Sequence, residues 1–264
     1  MLDALQIAAT GMQAQQLHVD TIANNLANVN TNGFKKGRIA FYDLVSRVAD
    51  RTLADAANAA ERPLDPARRL GLGVGVAMVS KQFDGGDIRK TDSALDLAIS
   101  GDGFLEVTLA DGSRAFSRGG TLKVNADGLL ALQAGQPLAG AITVPDNAVA
   151  LTIATDGRVH ATIPGSARPA ELGQIDLVRF MAPGGLIALG EGLYKNTEGS
   201  GEPISGRAGE DQIGTLRQGF VEGSNVKLVD EMVNLMVAQR AYEASVKVAQ
   251  AADEMLGMVN GLRK

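Results

Sequence analysis

Two heptad patterns, one at each end of the chain, constrain the fold more than any other feature. From Leu2 to Asn30 the sequence is rich in Ala, Gln and Leu, which favour helix. Leu5, Met12, Val19 and Leu26 take one core position of the repeat. Ala8, Ile22 and Val29 take the other, with Gln15 as the single polar member. Seven apolar residues in eight seam positions is coiled-coil spacing. Asn30-Thr31-Asn32-Gly33 should then stop the helix, because Asn and Gly accept left-handed backbone.

The last region runs from about Lys227 to Leu262, with Ser224-Asn225 as the expected N-cap. One seam reads Leu228, Met232, Leu235, Gln239, Tyr242, Val246, Ala249, Asp253 and Leu256, with seven of nine apolar. A second lies beside it through Ala241, Val248, Ala252, Met255, Val259 and Leu262. A helix with two adjacent apolar stripes has more than one partner to satisfy. At its full length it would reach about 50 Å.

Between the helices the pattern changes. Asp84-Gly85, Asp102-Gly103, Asp111-Gly112, Asp127-Gly128 and Asp156-Gly157 are turn signals. Short β-branched or alternating runs separate them: Val74 to Val79, Phe104 to Leu109, Thr121 to Val124, Leu151 to Ala154 and Gln174 to Phe180. This predicts a mainly antiparallel sandwich or barrel-like domain. The fold class is therefore α+β, with paired terminal helices and an intervening β domain. The expected division is a helical module of residues 1–34 and 225–264, a connecting segment of 35–70, and a β-rich domain of 71–224. The stretch from Arg47 to Arg69 is Ala-rich and charged, with Pro63 and Pro66, and reads as a long excursion.

Candidate chemistry is sparse. The chain has no Cys, which removes disulfides and thiolate metal sites. Its formal net charge of -5 disfavours nucleic acid as a partner. Aromatics make up 4% of residues and Trp is absent, which argues against a deep small-molecule pocket. The N-terminus lacks the basic and apolar regions of a cleaved secretory signal, and no run is long enough to insert in a membrane. His18 and His160 fall in different elements, and no metalloprotease, nucleophile-elbow or phosphate-loop motif occurs. Gly71, Gly73 and Gly75 alternate without dinucleotide-loop spacing and suit a strand in close backbone contact. The chain is expected to be neither an enzyme nor a metal or cofactor binder. The enzymatic alternative rests on the carboxylate pairs Asp84 with Asp87 and Glu106 with Asp111.

Two clusters invite an interface reading instead. Asn24, Asn25, Asn28, Asn30 and Asn32 crowd the end of the first helix. Asn30 and Asn32 suit a cap, whereas Asn24 and Asn25 lie off the seam and suggest a second contact surface that uses amide hydrogen bonds. In the last helix Gln239, Arg240, Tyr242 and Glu243 offer either an exposed ion pair or a bridge to a neighbouring helix.

These residues are also where a resemblance becomes visible. The run from Ile22 to Lys36, with Asn24-Asn25-Leu26-Ala27-Asn28 and Thr31-Asn32-Gly33-Phe34-Lys35, resembles the N-terminal signature of the flagellar rod and hook axial proteins. Ser224-Asn225-Val226, Glu231-Met232-Val233 and Gln239 to Glu243 resemble its C-terminal counterpart. Leu95 to Phe104 and Phe116-Ser117-Arg118-Gly119-Gly120 are similar to central β-domain motifs of that family. Ser245 departs from the family pattern, which commonly has Asn there. Within the family the length and opening resemble the distal rod branch, with the proximal rod proteins as the nearest rival.

The resemblance implies terminal helices paired as an inner tubular layer, an outer β domain, and head-to-tail helical stacking. Implied partners are copies of the same chain, adjacent rod proteins, the hook protein, surrounding ring proteins and the type III export apparatus. The implied place is the flagellar basal body, reached without a cleaved signal. The excursion would stiffen the rod, with Arg51, Arg62, Arg68 and Arg69 pairing to acidic neighbours.

Overall fold

The computed structural model describes residues 2–47, 69–165 and 168–261. Of the excursion from Arg47 to Leu70, on which the stiffening expectation falls, the stretch 48–68 lies outside them.

Helix α1 spans Leu2–Ala27 and helix α2 spans Leu228–Gly261. Between them, β1 (Gly37–Arg47) pairs with β2 (Arg69–Lys81). Then follow β3 (Ile88–Lys90), β4 (Asp96–Ser100), β5 (Phe104–Thr108), β6 (Arg114–Ser117), β7 (Gly119–Val124), β8 (Leu130–Leu132), β9 (Ala150–Ile153) and β10 (Arg158–Thr162). The series ends with β11 (Ala170–Gln174), β12 (Asp176–Arg179), β13 (Ile187–Gly190), β14 (Leu193–Lys195), β15 (Ile204–Arg207), β16 (Thr215–Gln218) and β17 (Phe220–Glu222). Helix, β domain, helix is the α+β arrangement that the patterning implies. The Gly residues of four of the five Asp-Gly turns, Gly103, Gly112, Gly128 and Gly157, take positive φ, as tight reversals require.

Contacts divide the chain into two compact units. One comprises Asn25–Gly37 and Ser80–Leu228. Its six-stranded sheet has the order β13-β14-β6-β5-β12-β15, and a four-stranded sheet has the order β16-β4-β7-β8. Strands β5, β6 and β12 are buried on both faces. Leu105, Val107, Ala115 and Leu177 point into a large aliphatic core with Leu97, Ile99, Leu122 and Leu216. Phe104, Phe116 and Val178 point the other way and meet Phe180 and Tyr194, with Phe83 packed beside them. The alternation is the two-residue period of a strand. Half of the chain's ten Phe and Tyr residues thus gather in one cluster, in edge-to-face pairs such as Phe116 on Phe180 at 4.8 Å.

The other unit comprises Met1–Asn24, Arg38–Val79 and Val229–Lys264. The alternating glycines act here. A Cβ at Gly73, which has φ 111°, would collide with the Thr10 side chain of α1, and one at Gly75 would lie 2.5 Å from the Tyr42 ring. The Val74 amide donates to Thr10 Oγ1 at 3.4 Å. Glycine is what lets β2 lie against both neighbours. The helices meet where a Cβ on Gly11 would touch Ser245 Oγ at 3.4 Å. Ser245, the departure from the family pattern, is a small residue set against a glycine.

The end of α1 and the start of α2 differ from expectation. Helix α1 stops at Ala27, and turns bonded Asn28 N to Asn25 O and Thr31 N to Asn28 O carry the chain to Gly33, at φ 69°. Helix α2 begins at Leu228, beyond Ser224-Asn225. Asn225 is not the N-cap. Its side chain accepts from Lys36 N at 2.8 Å and donates to Gln82 O at 2.9 Å, so its amide joins two other segments.

Candidate functional site

The side chains singled out on the helices fall into an inner and an outer set. On α1, Ala8, Ile22 and Asn25 are buried, Leu5, Met12, Gln15, Val19 and Leu26 are half-buried and Asn24 is exposed, while Asn28 and Val29, just beyond the helix, are half-buried. On α2 the buried positions are Glu231, Ala238 and Ala252, with Leu235, Ser245, Ala249 and Leu256 half-buried along the same heptad stripe. Leu228, Met232, Gln239, Arg240, Tyr242 and Glu243 are exposed, and Val246 is half-buried. Size explains the offset from the expected seam. The middle of that stripe, Ala238, Ser245, Ala249 and Ala252, is small and permits close backbone approach, with Leu235 and Leu256 flanking it.

The outward face carries Val229, Met232, Val233, Met236 and Val237 at spacings of three and four, each between 47% and 71% exposed. A contiguous apolar patch of this kind marks an interaction surface. Farther along, Val248, Met255, Met258 and Val259 are exposed as well. Among the described residues no ion pair joins Arg240 to Glu243.

Asn25 does not serve an outer surface. It is 2% exposed; its amide donates to Gly37 O at 3.0 Å and its carbonyl accepts from Gly37 N at 2.8 Å. The two bonds tie the helix end to the far side of the strap at 28–37.

Sequence reasoning missed the charged centre under that strap. Lys35 Nζ lies 2.8 Å from Glu222 Oε1, and the two side chains are 0% and 3% exposed. Arg118 Nε donates to Glu222 Oε2 at 3.1 Å. Its remaining donors reach Gly103 O at 2.6 Å and Gly101 O at 3.0 Å. Lys35 also donates to Asp84 O at 2.8 Å, and Gly86 N donates to Glu222 Oε1 at 2.9 Å. Every charge is thus paired and hydrogen-bonded, the condition for ions to be tolerated out of water.

Burial alone would raise the Glu222 pKa, but the charges and hydrogen bonds of Arg118 and Lys35 outweigh it and hold the carboxyl below its ordinary value. Lys35 moves down, chiefly through burial and the nearby Arg118 charge, against the pull of Glu222. The two shifts agree once the count is made: two cations share one anion, which favours the anion and strains the weaker cation. Burial pushes neighbouring Tyr194 up to about 12. The signal for this centre was present in Gly33-Phe34-Lys35 and Phe116-Ser117-Arg118, recognisable runs whose charges had no local partner.

The carboxylate pairs weighed for catalysis have local duties. Asp111 accepts from Ser113 N at 2.8 Å and Ser113 Oγ at 2.6 Å, and Glu106 sits 3.6 Å from Arg114. Asp84 and Asp87 are exposed. His18 packs edge-on to Phe41 at 5.7 Å, and His160 lies in β10. Among the described residues no group of three or more His, Asp or Glu is placed to hold a metal ion, and no helix is long and apolar enough to cross a membrane.

Comparison with known proteins bears directly on this arrangement. The family described as "Flagella basal body rod protein" matches residues 5–35, covering most of α1 and the strap as far as Lys35. "Flagellar hook protein FlgE/F/G D1 domain" matches 98–161, which contains Arg118. "Flagellar basal body rod FlgEFG protein C-terminal" matches 217–262, which contains Glu222 and α2. The flagellar basal-body rod protein FlgG of Borreliella burgdorferi is 43% identical over 266 residues, covering 100% of both chains. The chain belongs to the FlgG family of flagellar basal-body rod proteins. The FlgG proteins of Caulobacter vibrioides and Bacillus subtilis are 39% and 33% identical, over 99% and 100% of this chain. The FlgG family is a structural one and not an enzyme family. Each of the three matched segments supplies one member of the Lys35–Arg118–Glu222 centre.

Proposed function

We propose that the chain is a distal rod subunit that polymerises helically through its terminal helices into a hollow drive shaft carrying torque from motor to hook. The observation that carries this reading is the end-to-end similarity to FlgG proteins. The exposed Val and Met face of α2 supports it, since five large apolar side chains left in water call for a partner. The heterologous partner is a second copy, whose repetition gives an open helical stack. Adjacent rod proteins and the hook protein would meet the two ends of that stack, and ring proteins its outer surface. Passage through the type III apparatus without a cleaved signal completes the scheme, as does a stiffening role for 48–68. Leu5, Met12, Val19, Asn24 and Leu26 of α1 and Asn28 and Val29 just beyond it, with Leu228, Met232, Leu235, Gln239, Arg240, Tyr242, Glu243 and Val246 of α2, are the proposed assembly residues, and Ile22 and Asn25 would support them from inside the chain.

Electron microscopy of purified basal bodies carrying a label on this chain tests the reading. Label along the distal rod is the expected result. Label confined to the proximal rod, or absent from the basal body, overturns it.

A further inference from the structure

We infer that Lys35, Arg118 and Glu222 form an ordered latch, in which the strap at 28–37 docks last and only where Glu222 has already reached Arg118. The charge balance lies within one unit of the fold and is independent of the rod reading. Arg118 has three kinds of acceptor: both oxygens of Glu222, the Gly103 carbonyl and the Gly101 carbonyl. Lys35 has two, Glu222 and the Asp84 carbonyl. Remove Lys35, and Arg118 with Glu222 remains a neutral, hydrogen-bonded pair. Remove Glu222, and two cations share one buried space with only carbonyls to face. The pair can therefore form without the strap, whereas the strap cannot dock without Glu222.

Two main-chain donors of the strap have the same dependence. Gly33 N donates to the Glu222 carbonyl at 2.7 Å, and Lys36 N donates to Asn225 Oδ1 at 2.8 Å. Gln82 N in turn donates to Lys36 O at 3.0 Å. Both bonds that the strap donates to the C-terminal segment need residues 222–225 in place. The strap leads from α1, and 222–228 leads into α2. The segment made first docks last, so the strap closes only once residues 222–225 have been made. Lys35, Arg118 and Glu222 are positioning residues in this sense.

Trypsin cleavage after Lys36 in the full-length monomer reads the strap. Glu222→Gln should speed that cut by more than about a hundredfold, because it leaves a buried cation without its anion. Lys35→Met should speed it far less. The double variant Lys35→Met/Glu222→Gln should cut more slowly than Glu222→Gln alone, since removing the second cation relieves the repulsion. Independent, additive contacts predict the reverse, with the double variant worst. Equal rates for Lys35→Met and Glu222→Gln, or no rescue in the double variant, overturn the latch. If Glu222→Gln does not fold, the comparison of Lys35→Met with Arg118→Met decides it: the ordered latch requires Arg118→Met to speed the cut at least as much as Lys35→Met does, and a smaller effect of Arg118→Met overturns it.

Discussion

The β domain and the terminal helices use the same residue classes in opposite ways. In the β domain large apolar side chains are inside: Phe116, Leu105, Leu177 and Val107 have no exposed surface. In α2 the small residues Ala238 and Ala252 are inside, and Val229, Met236 and Val237 are more than half exposed. Charges show the same inversion. The β domain buries Lys35, Arg118 and Glu222 together, while α2 leaves Arg240 and Glu243 in water. One region spends its hydrophobic surface on its own stability. The other retains it for contact with something else. A monomer should thus be stabilised by its β domain and enabled by its helices.

The largest break of that contrast comes from the aromatic cluster. Phe116→Ala removes a ring packed at 4.8 Å on Phe180 with no surface exposed. The expected cost is about 3–5 kcal/mol, or a fall of about 10 °C in the main calorimetric transition. A shift below about 2 °C would place the monomer's stability elsewhere.

Next in size is the glycine contact of the helical unit. Gly75→Val puts branched carbon into the Tyr42 ring, and overpacking of this kind costs about 1–3 kcal/mol. Tyr42→Ala in the same chain should restore most of the loss, measured as hydrogen exchange in β2. If it does not, β2 lies on something other than that ring.

The acid limb of stability follows from Glu222. Its folded pKa is depressed, so the unfolded chain binds more protons as pH falls into the carboxylate range, and stability drops below the unfolded value of 4.5. The charged groups acting on it are Arg118 and Lys35. Lys35 has the same slope at the alkaline end: its folded pKa lies below 10.5, so stability rises as pH climbs toward that value. Denaturant titrations should show the wild-type chain weakening below about pH 4.5 and Glu222→Gln lacking that component.

Much of this was legible in the residues. Heptad spacing located both helices, and the Asp-Gly steps located the turns, because both signals are local. The inward stripe of α2 was not, because the choice between Ala238–Ser245–Ala252 and Val229–Met232–Met236 is made by the partner surface, and Gly11 is more than two hundred residues away in sequence. The Asn25 amide bonds to Gly37, a pairing that no local pattern names. Gly37 is brought back to the helix end by the strap at 28–37, in which Lys35 is held by Glu222 and the Asp84 carbonyl. The charged centre needs three segments separated by 83 and 104 residues (118 − 35 and 222 − 118), beyond any local pattern.

The smallest effect on the monomer is the sharpest test of the comparison. Met236 is 57% exposed in the middle of the outward stripe, with Met232, Val233 and Val237 around it. Met236→Ser removes apolar surface that the monomer does not bury, so folding stability should change by no more than about 0.5 kcal/mol. In a polymer the same side chain would be covered, and losing its burial costs about 1.5–3 kcal/mol per contact. That difference converts to a rise of roughly tenfold or more in the concentration needed for assembly. Sedimentation across a concentration series, beside a thermal melt of the same sample, reads both quantities at once. A variant that melts like wild type and assembles only at higher concentration establishes the outward face as the subunit contact. A variant that melts and assembles like wild type removes that face from the assembly and leaves Tyr242 and Val246, farther along α2, as the surface to examine.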